Sequence, residues 1–403
     1  MKKFSAFALL LLLALACGGQ QAEEPVADVT DEQVTPPAQE EYVLPEADQY
    51  ITIRDSIGVE LGDSNYVFGQ LAGADITPEG NLAILDLQKT CISIFNPRGD
   101  FLTRIGRQGS GPGEFQMPAG MTFFPLSEDD GEGLPGCAVC DAMGGKIVYF
   151  DRELEYMTNV QGFFPSPPAV LVGVRDGAIV GMKPEFEQNE EGMFMGFTIG
   201  RWEFGETSPS VVYFESMSPF DPSDLSTMQD DIVSFGANPE GYVLTAPLAT
   251  DRYTFTLWTP EGQEIFTYLE EDYQRVPKTQ EEIDLETEMV NNRMVQQGMP
   301  EGMANWEPDP YRTAVAGLWF DARDRIWVTR GTTVTPSFDV FDMEGSLLFT
   351  AALDAGEKAS TWQAMIQEDR LIAFDVDPEL YPQVFIADLP GFDMPEEELE
   401  GSI

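Results

Sequence analysis

The sequence predicts an all-β protein in which six four-stranded antiparallel units surround one axis, a six-bladed β-propeller. Three observations support this prediction. Short runs of β-branched and aromatic residues alternate with Gly- and Pro-containing turns over residues 50–389. The same four-strand pattern recurs along that segment. Each end of the segment leaves an incomplete unit, and the two pieces add up to one blade.

The first complete unit shows the pattern most clearly. From residue 74 the chain reads ADITPEGNLAILDLQKTCISIFNPRGDFLTRIG, and strands two to four are predicted at 82–86, 91–95 and 101–105. Proline and glycine stand in the intervening turns, where the backbone needs a fixed φ or a positive φ.

Later segments repeat this arrangement. Strand pairs joined by a short turn are predicted at 146–160, 169–182, 232–246, 254–269, 314–330 and 337–353. Residues 361–389 supply only three strands, and YITIRDSIGVEL (50–61) is a strand without a unit of its own. We therefore expect the N-terminal strand to close the last blade. A β-sandwich or a solenoid is the alternative, but neither predicts that the terminal strands match.

The stretch GRQGSGPGEF (106–115) follows the fourth strand of the first unit. A phosphate-binding loop would need a helix after it and, for nucleotides, Lys-Ser or Lys-Thr, and neither is present. We interpret the stretch as a junction between two blades. The alternative interpretation places Arg104 and Arg107 at a ligand site beside it.

At this junction the chain resembles the NHL-type family of bacterial six-bladed β-propeller lipoproteins, in which Gly-x-Gly-Pro-Gly-Glu-Phe followed by proline marks a blade junction. The resemblance covers about residues 50–389 and implies a propeller without implying one activity. The motif occurs once, and the other junctions depart from it. The matching residues are Gly109, Gly111, Pro112, Gly113, Glu114, Phe115 and Pro118.

The N-terminus indicates export and a lipid anchor. Residues 1–16 place two lysines before an apolar run, which is typical of a secretory signal peptide. The end of this run, LALAC, resembles a bacterial lipobox, and the resemblance implies that Cys17 is the lipidated first residue of the mature chain. Gly18 follows instead of aspartate, which in Gram-negative lipoproteins implies the outer membrane of the cell envelope. An ordinary cleaved signal is the alternative.

The remaining boundaries follow from composition. Residues 17–48 are acidic and poor in large apolar side chains, so we expect a lipidated, disordered tether. The propeller is predicted over 49–390, with a helical insertion at 276–311, and 391–403 form an acidic C-terminal tail.

The insertion contains one helix, predicted over 279–297. Thr279 and Glu282 form a capping box at its start, and Gly298 ends it. Ile283, Val290 and Met294 are predicted on its apolar face. Packing on the rim or one propeller face is the first interpretation, and a lid over the central channel is the second.

Charge and composition exclude several functions. The chain carries 70 acidic and 22 basic residues, a formal charge of −48, and no histidine. Nucleic acid and anionic membrane surfaces are therefore excluded as electrostatic partners, while solubility, a salty environment or a cationic partner remain. The absence of histidine removes Ser-His-Asp and Cys-His catalysis and His-ligated metal sites.

The cysteines and acidic loops are further candidate sites. Three cysteines remain beside Cys17, and we expect a disulfide among Cys91, Cys137 and Cys140, with buried thiols as the alternative. Acidic loops at 127–133 and 221–231 are expected to be solvated insertions, with calcium binding as the alternative.

The first functional hypothesis is a lipid-anchored, non-enzymatic binding or scaffold module for a small ligand, a glycan or a protein. The alternative is a calcium-dependent, lactonase- or esterase-like hydrolase using channel carboxylates, by resemblance to the calcium lactonase and gluconolactonase propellers. A structural envelope lipoprotein is the third hypothesis. No catalytic or metal-ligating residue is assigned, and no cofactor is expected outside the calcium alternative. We expect a monomer that meets the membrane only through its lipid.

Overall fold

The computed structural model describes residues 46–126, 133–190, 192–220, 233–296, 308–331, 336–356, 359, 362–375 and 380–392. The predicted signal peptide, Cys17, the loop residues 127–132 and the acidic segment 221–231 lie outside the described residues. So does the C-terminal tail beyond residue 392.

Strands dominate the described chain, and one helix, α1 (Gln280–Gln296), interrupts them. The strands in chain order are β1 (Gln49–Thr52), β2 (Asp55–Ile57), β3 (Leu71–Ile76), β4 (Leu82–Asp86), β5 (Cys91–Phe95), β6 (Phe101–Ile105), β7 (Pro118–Phe123), β8 (Cys137–Asp141), β9 (Lys146–Phe150), β10 (Tyr156–Gln161), β11 (Val170–Gly173), β12 (Ile179–Asn189), β13 (Gly192–Trp202), β14 (Val211–Glu215), β15 (Ser218–Pro219), β16 (Val233–Ala237), β17 (Val243–Pro247), β18 (Thr254–Trp258), β19 (Glu264–Leu269), β20 (Val315–Phe320), β21 (Ile326–Arg330), β22 (Ser337–Phe341), β23 (Leu347–Asp354), β24 (Trp362–Gln367), β25 (Arg370–Asp375) and β26 (Val384–Asp388).

Six sheets form the blades, which confirms the predicted six-bladed propeller. Blade one is β3–β6, blade two β7–β10, blade three β11–β14 with β15 paired to β13, blade four β16–β19, blade five β20–β23, and blade six β24–β26 with β2. Neighbouring strands within each four-stranded blade are antiparallel, as in the register of β3 with β4. The first strand of each blade is the inner strand and borders the axis.

The N-terminal segment closes the ring, but as two short strands instead of the one strand predicted over 50–61. β2 pairs antiparallel with β26 and completes blade six. β1 pairs parallel with β23 and adds a fifth strand to blade five. The division has a packing reason, because Ile51 is buried between blades five and six whereas Ile57 is buried between blades six and one.

Each pair of neighbouring blades shares one apolar core cluster. The middle strands of blades one and two, β4, β5, β8 and β9, are buried along their whole length. Such strands are covered on both faces, which explains why LAILD, CISIF and CAVCD are nearly continuous apolar runs. No blade buries its faces alone, so the ring must be stabilised as one unit.

Two glycines permit the inner strands to approach each other closely. A Cβ on Gly120 would lie 1.7 Å from the carbonyl oxygen of Ala169, and a Cβ on Gly236 would lie 2.3 Å from that of Leu318. Both distances are far inside van der Waals contact, so a side chain at either position would push neighbouring blades apart.

The capping box of α1 is confirmed. The backbone N–H of Thr279 donates to Glu282 Oε2 at 2.7 Å, and the N–H of Glu282 donates to Thr279 Oγ1 at 3.2 Å. The buried face of the first turns is not the predicted apolar one, since it carries Glu282 and Glu286. Arg312 pairs with Glu282 at 2.8 Å and Lys278 pairs with Glu286, so cations replace the expected apolar contacts.

The apolar face predicted for α1 is only partly described by the structure. Ile283 of the predicted apolar face is only partly buried, and the side chains of Val290 and Met294 lie outside the described ones. Within the described part of the chain, no helix combines the length and hydropathy needed to cross a membrane.

The expected disulfide is wrong, because Cys91, Cys137 and Cys140 are free, buried thiols. Cys137 packs between blades one and two, and Cys140 packs between blades two and three. Residues three apart in a strand point to opposite faces and are about 10 Å apart, beyond disulfide reach. Cys91 shares a strand face with Phe95, which packs against blade six, so each thiol faces a different interface.

Candidate functional site: the central channel

A cavity of about 860 Å³ occupies the axis of the propeller, bordered by the inner strands of all six blades and by the turns that follow them. This volume falls within the range of small-molecule binding sites. We call the end of the cavity at these turns, each of which joins an inner strand to the next strand, the mouth.

Each inner strand contributes one residue to a ring at the same height in the channel. In blades one to five this residue stands just before the last paired position of the inner strand. In blade six the pairing runs one residue further, to Gln367 with Arg370. Ile366 packs against blade five as Phe320 packs against blade four, so Met365 is the equivalent of Trp319. The six members of this ring all border the cavity. They are Asp75, Thr122, Val172, Gly236, Trp319 and Met365.

Asp75 is the charged member of the ring. Its carboxylate accepts the backbone N–H of Phe123 at 2.8 Å, and its own strand supplies the N–H of Ile76 at 2.8 Å. Burial raises the pKa of Asp75 to about 7, these hydrogen bonds oppose the rise, and the nearby charge of Glu368 adds to it. A carboxyl group with this pKa changes its ionisation near neutral pH.

Two further carboxylates stand at the mouth on the turns of blades five and six. Glu368 is accessible from the cavity although protein surrounds it, and this burial is the largest of the causes that raise its pKa. Asp369, Asp321 and Asp324 raise the pKa of Glu368 further, whereas Arg175 lowers it. Asp324 accepts the side-chain amide of Asn238 at 2.8 Å.

Other charges at the mouth are paired. Arg175 donates to Glu240 at 2.8 Å, and Arg370 lies 3.3 Å from Asp369. Asp321 is buried and accepts from Arg325 at 2.6 Å and from the indole N–H of Trp327 at 2.7 Å. These carboxylates are occupied by neighbouring groups and stabilise the turns.

Trp319 forms part of the channel wall in blade five. Its indole N–H donates to Thr329 Oγ1 at 3.0 Å, and the nitrogen would lie 2.9 Å from a Cβ on Gly317. The ring is therefore held over a glycine by its own N–H. Because that N–H has a partner, Trp319 contributes an apolar aromatic surface to the wall of the cavity.

Neither Arg104 nor Arg107 borders the cavity, and the alternative of a ligand site beside the junction stays a prediction. Arg104 lies on the outermost strand β6, where it donates to Ser93 Oγ at 3.2 Å. Arg107 is exposed and pairs with Glu114 at 2.8 Å inside the junction. Both arginines stabilise local structure at the rim.

The junction motif has a structural explanation. Glu114 accepts the backbone N–H of Gly111 at 2.9 Å, and this bond, followed by Arg107, lowers the pKa of Glu114. A Cβ on Gly109 would lie 2.0 Å from the Glu114 carboxylate, so a side chain there would displace that carboxylate from its hydrogen bonds in the junction. Phe115 is fully buried between blades one and two. Of the remaining motif residues, Pro112 and Gly113 lie in the turn and Pro118 begins β7.

The helical insertion is not assigned to the channel. Among the described residues of 276–311, none borders the cavity. The lid interpretation therefore has no support in the described part of the insertion.

A metal centre has no identifiable ligand set. The described residues hold no group of three or more Asp, Glu or Cys side chains placed to bind one ion. Of the six described carboxylates that border the cavity, three form no ion pair, and these three, Asp75, Asp324 and Glu368, belong to three different blades.

Sequence reasoning did not single out Asp75, Trp319, Asp324 or Glu368. Asp75 left one signal, because it is an acid within a predicted inner strand whose other residues are small or apolar. Glu368 and Asp324 occupy turns that resemble the other acidic turns in sequence, so nothing in the pattern distinguishes them.

Fold and channel together define a class: a six-bladed β-propeller with a ligand-sized axial cavity. A family model described as "6-bladed beta-propeller", DUF5128, matches residues 75–162, most of blades one and two. The match supports a bacterial propeller family.

Solved structures are similar to this chain at low identity. A member of the duf4221 family from Bacteroides vulgatus has 11% identity and a TM-score of 0.49, over 84% of this chain and 97% of that chain. The calcium-binding protein regucalcin from Agrobacterium tumefaciens has 10% identity and a TM-score of 0.40, and the match covers 86% of this chain and 99% of that chain. Virginiamycin B lyase from Staphylococcus aureus, solved with quinupristin, has 9% identity and a TM-score of 0.39. The match covers 83% of this chain and 99% of that chain. No curated protein matches the chain. Similarity at this level carries no argument about function.

Proposed function

We propose that this protein is a lipid-anchored, extracytoplasmic binding module that takes a small ligand into its central channel. The observation that carries the proposal is the cavity of about 860 Å³, which has small and apolar side chains around a few polar groups. Preformed, mostly apolar cavities of this size are typical of small-molecule sites. The propeller fold itself supports a binding or scaffold module.

Rigidity of the wall supports the same function. Each pair of neighbouring blades shares an apolar core cluster, so the channel shape is set before a ligand arrives. Preorganisation lowers the entropic cost of binding. The anchor rests on the lipobox-like sequence at Cys17, which would hold the channel at a membrane surface.

The hydrolase alternative is less well supported. It requires several oxygen ligands converging on one calcium ion, and the described residues contain no such group. We therefore do not propose catalysis.

The channel is tested by blocking it. Gly73 borders the cavity, and a Cβ built on it meets nothing within 4 Å, so Gly73→Phe places a ring in the channel while Gly73→Ala leaves it open. Purified full-length protein is melted with indole, 3-phenylpropanol, N-acetylglucosamine, γ-decalactone or calcium chloride. A ligand that binds only the native state raises the melting temperature.

We expect at least one organic probe to raise the melting temperature of the wild type and of Gly73→Ala but not that of Gly73→Phe. A shift that persists in Gly73→Phe would place binding elsewhere and contradict the channel. Stabilisation by calcium alone would favour the hydrolase.

The anchor is tested separately with Cys17→Ala. We expect this variant to leave the membrane fraction and to remain folded. Full retention in the membrane fraction would show that the lipid anchor is wrong.

A further inference from the structure

Negative charge dominates the channel. Among the described residues, six carboxylates border the cavity, against two guanidinium groups. Arg175 is paired with Glu240. Arg370 lies 3.3 Å from Asp369 and donates to the carbonyl of Gly80, although its buried Nε makes no hydrogen bond. In a cavity with low-dielectric walls, charges of one sign concentrate their potential inside the opening.

The unneutralised charge lies on one side of the channel. Within the described residues, no basic group forms an ion pair with Asp75 of blade one, Asp324 of blade five or Glu368 of blade six. These three blades are consecutive around the ring because the N-terminal strand closes blade six beside blade one. The opposite side, from blade two to blade four, presents Thr122, Val172 and the paired Arg175.

Apolar and aromatic surface accompanies that charge. Trp319 of blade five and Met365 of blade six belong to the same ring as Asp75. An indole face that is free of hydrogen-bonding duty attracts a cation through its quadrupole and packs against hydrocarbon. Acidic and aromatic groups therefore share one side of the cavity.

We propose that the channel selects an organic cation, a protonated amine or guanidinium carried on an apolar body, with its charge toward Asp75, Asp324 and Glu368 and its body against Trp319 and Met365. This inference rests on the proposed function and adds the ligand class. It explains why acidic groups remain unpaired in a cavity where pairing would otherwise lower their free energy.

Other ligand classes fit less well. An anion meets the excess of carboxylates, and the two described guanidinium groups that border the cavity each lie beside a carboxylate. A bare metal ion needs several oxygen ligands at one point, and the described residues form no such group. A bulky cation needs only nearby negative potential and an aromatic surface.

Binding should also depend on pH. A cation favours the ionised form of Asp75, so affinity is expected to rise between pH 6 and pH 8. The groups that face Asp75 are the N–H groups of Ile76 and Phe123, the Thr122 hydroxyl and the Glu368 carboxylate. Glu368 titrates and raises the pKa of Asp75, as burial does. The Cys137 thiol also interacts with Asp75, but burial raises its pKa so far that it stays neutral between pH 6 and pH 8.

The test uses three probes with one apolar body: 3-phenylpropylammonium, 3-phenylpropanol and 3-phenylpropionate. Binding to purified full-length protein is measured by calorimetry at fixed ionic strength. We expect the ammonium to bind at least about tenfold more tightly than the alcohol, and the carboxylate to bind most weakly.

Single-residue variants then show which side chains cause the preference for the ammonium probe. At pH 8, Glu368→Gln and Asp75→Asn should each weaken the ammonium about three- to tenfold and leave the alcohol unchanged. Trp319→Leu should weaken the ammonium by about tenfold. The rise of affinity with pH should be smaller in Asp75→Asn. Glu206→Gln, an exposed acid outside the cavity, is the control and should change nothing.

The outcomes separate the inference from the proposed function. Equal binding of all three probes that Gly73→Phe abolishes would overturn cation selectivity and leave the channel as a binding site. Preference for the carboxylate, or competition by calcium at the same carboxylates, would overturn the ligand class. If none of the three probes binds, the cation ligand class is also overturned. Whether the channel binds a ligand at all is then decided by the melting-temperature experiment with the other probes.

Discussion

Two regions of this molecule hold buried or enclosed carboxylates, and they treat them in opposite ways. In the helical insertion, Glu282 is paired with Arg312 and Glu286 with Lys278. At the channel, Asp75 and Glu368 have raised pKa values and no ion-pair partner among the described residues.

This difference distinguishes carboxylates that stabilise the fold from carboxylates that are available to a ligand. Burial also raises the pKa of Glu286, and Lys278 opposes that rise. A paired buried carboxylate is costly to break. The Glu286–Lys278 pair therefore holds α1 to the segment before it, and the Glu282–Arg312 pair holds α1 to the segment before β20. An unpaired carboxylate that faces a cavity keeps its interaction capacity for something that enters, at a cost to the stability of the empty protein.

The largest effect is expected from breaking the paired region. Lys278→Met leaves Glu286 buried without its cation, which should destabilise the insertion by about 3–5 kcal/mol. Hydrogen exchange of residues 276–288 measures this opening. Lys278→Arg, which keeps the charge, is the control, and the double variant Lys278→Met/Glu286→Leu should recover most of the loss. Unchanged exchange in Lys278→Met would contradict the structural role.

The second-largest effect is expected from Asp75→Asn, which should stabilise the protein above about pH 7 instead of destabilising it. The pKa of Asp75 is about 7 in the folded protein and 3.8 ordinarily, so the folded state favours the protonated form. This stability is fully present below about pH 4 and is lost as pH rises through about 7. Relative to the variant, the wild type should lose about 2–4 kcal/mol between pH 4 and pH 8.

Parallel denaturant titrations of wild type and Asp75→Asn at several pH values give this difference directly. The comparison cancels titrating groups common to both proteins. A constant difference across the range would show that Asp75 has an ordinary pKa and is not enclosed as described.

A smaller effect is expected from Glu368→Gln. Burial is the largest cause that raises the pKa of Glu368, but its side chain is accessible from the mouth, so solvent screens much of the cost. Near pH 7 the variant should be more stable by about 1 kcal/mol or less. A clear loss of stability in urea unfolding would mean that Glu368 has a structural partner.

The smallest effect is expected from Arg175→Met. The pair of Arg175 with Glu240 has side-chain exposures of 40% and 48%, so it should contribute less than about 0.5 kcal/mol. The variant should bind the ammonium probe at least as tightly as the wild type, because one positive charge leaves the mouth. Weaker ammonium binding would argue against a cation-selective channel.

Prediction from sequence was accurate wherever the local pattern carried the information. Alternating strand runs and Pro- and Gly-containing turns specified the blades, and Thr279 with Glu282 specified the start of α1. It was wrong for the cysteines, because strand alternation sends Cys137 and Cys140 to different blade interfaces. For Arg104 and Arg107 the local pattern did not show that both lie on the rim, away from the cavity, because this depends on which strand is outermost.

By itself the sequence determined six blades, ring closure by the N-terminal segment and the structural nature of the junction at 106–115, since these depend on short-range periodicity and turn chemistry. Only the tertiary structure decided which carboxylates meet at the axis. Asp75, Asp324 and Glu368 are far apart in the chain, and closure of blade six beside blade one brings their blades together. Tertiary contacts also decided which acids are neutralised, because an ion pair depends on distances between blades, and one strand's pattern does not specify these.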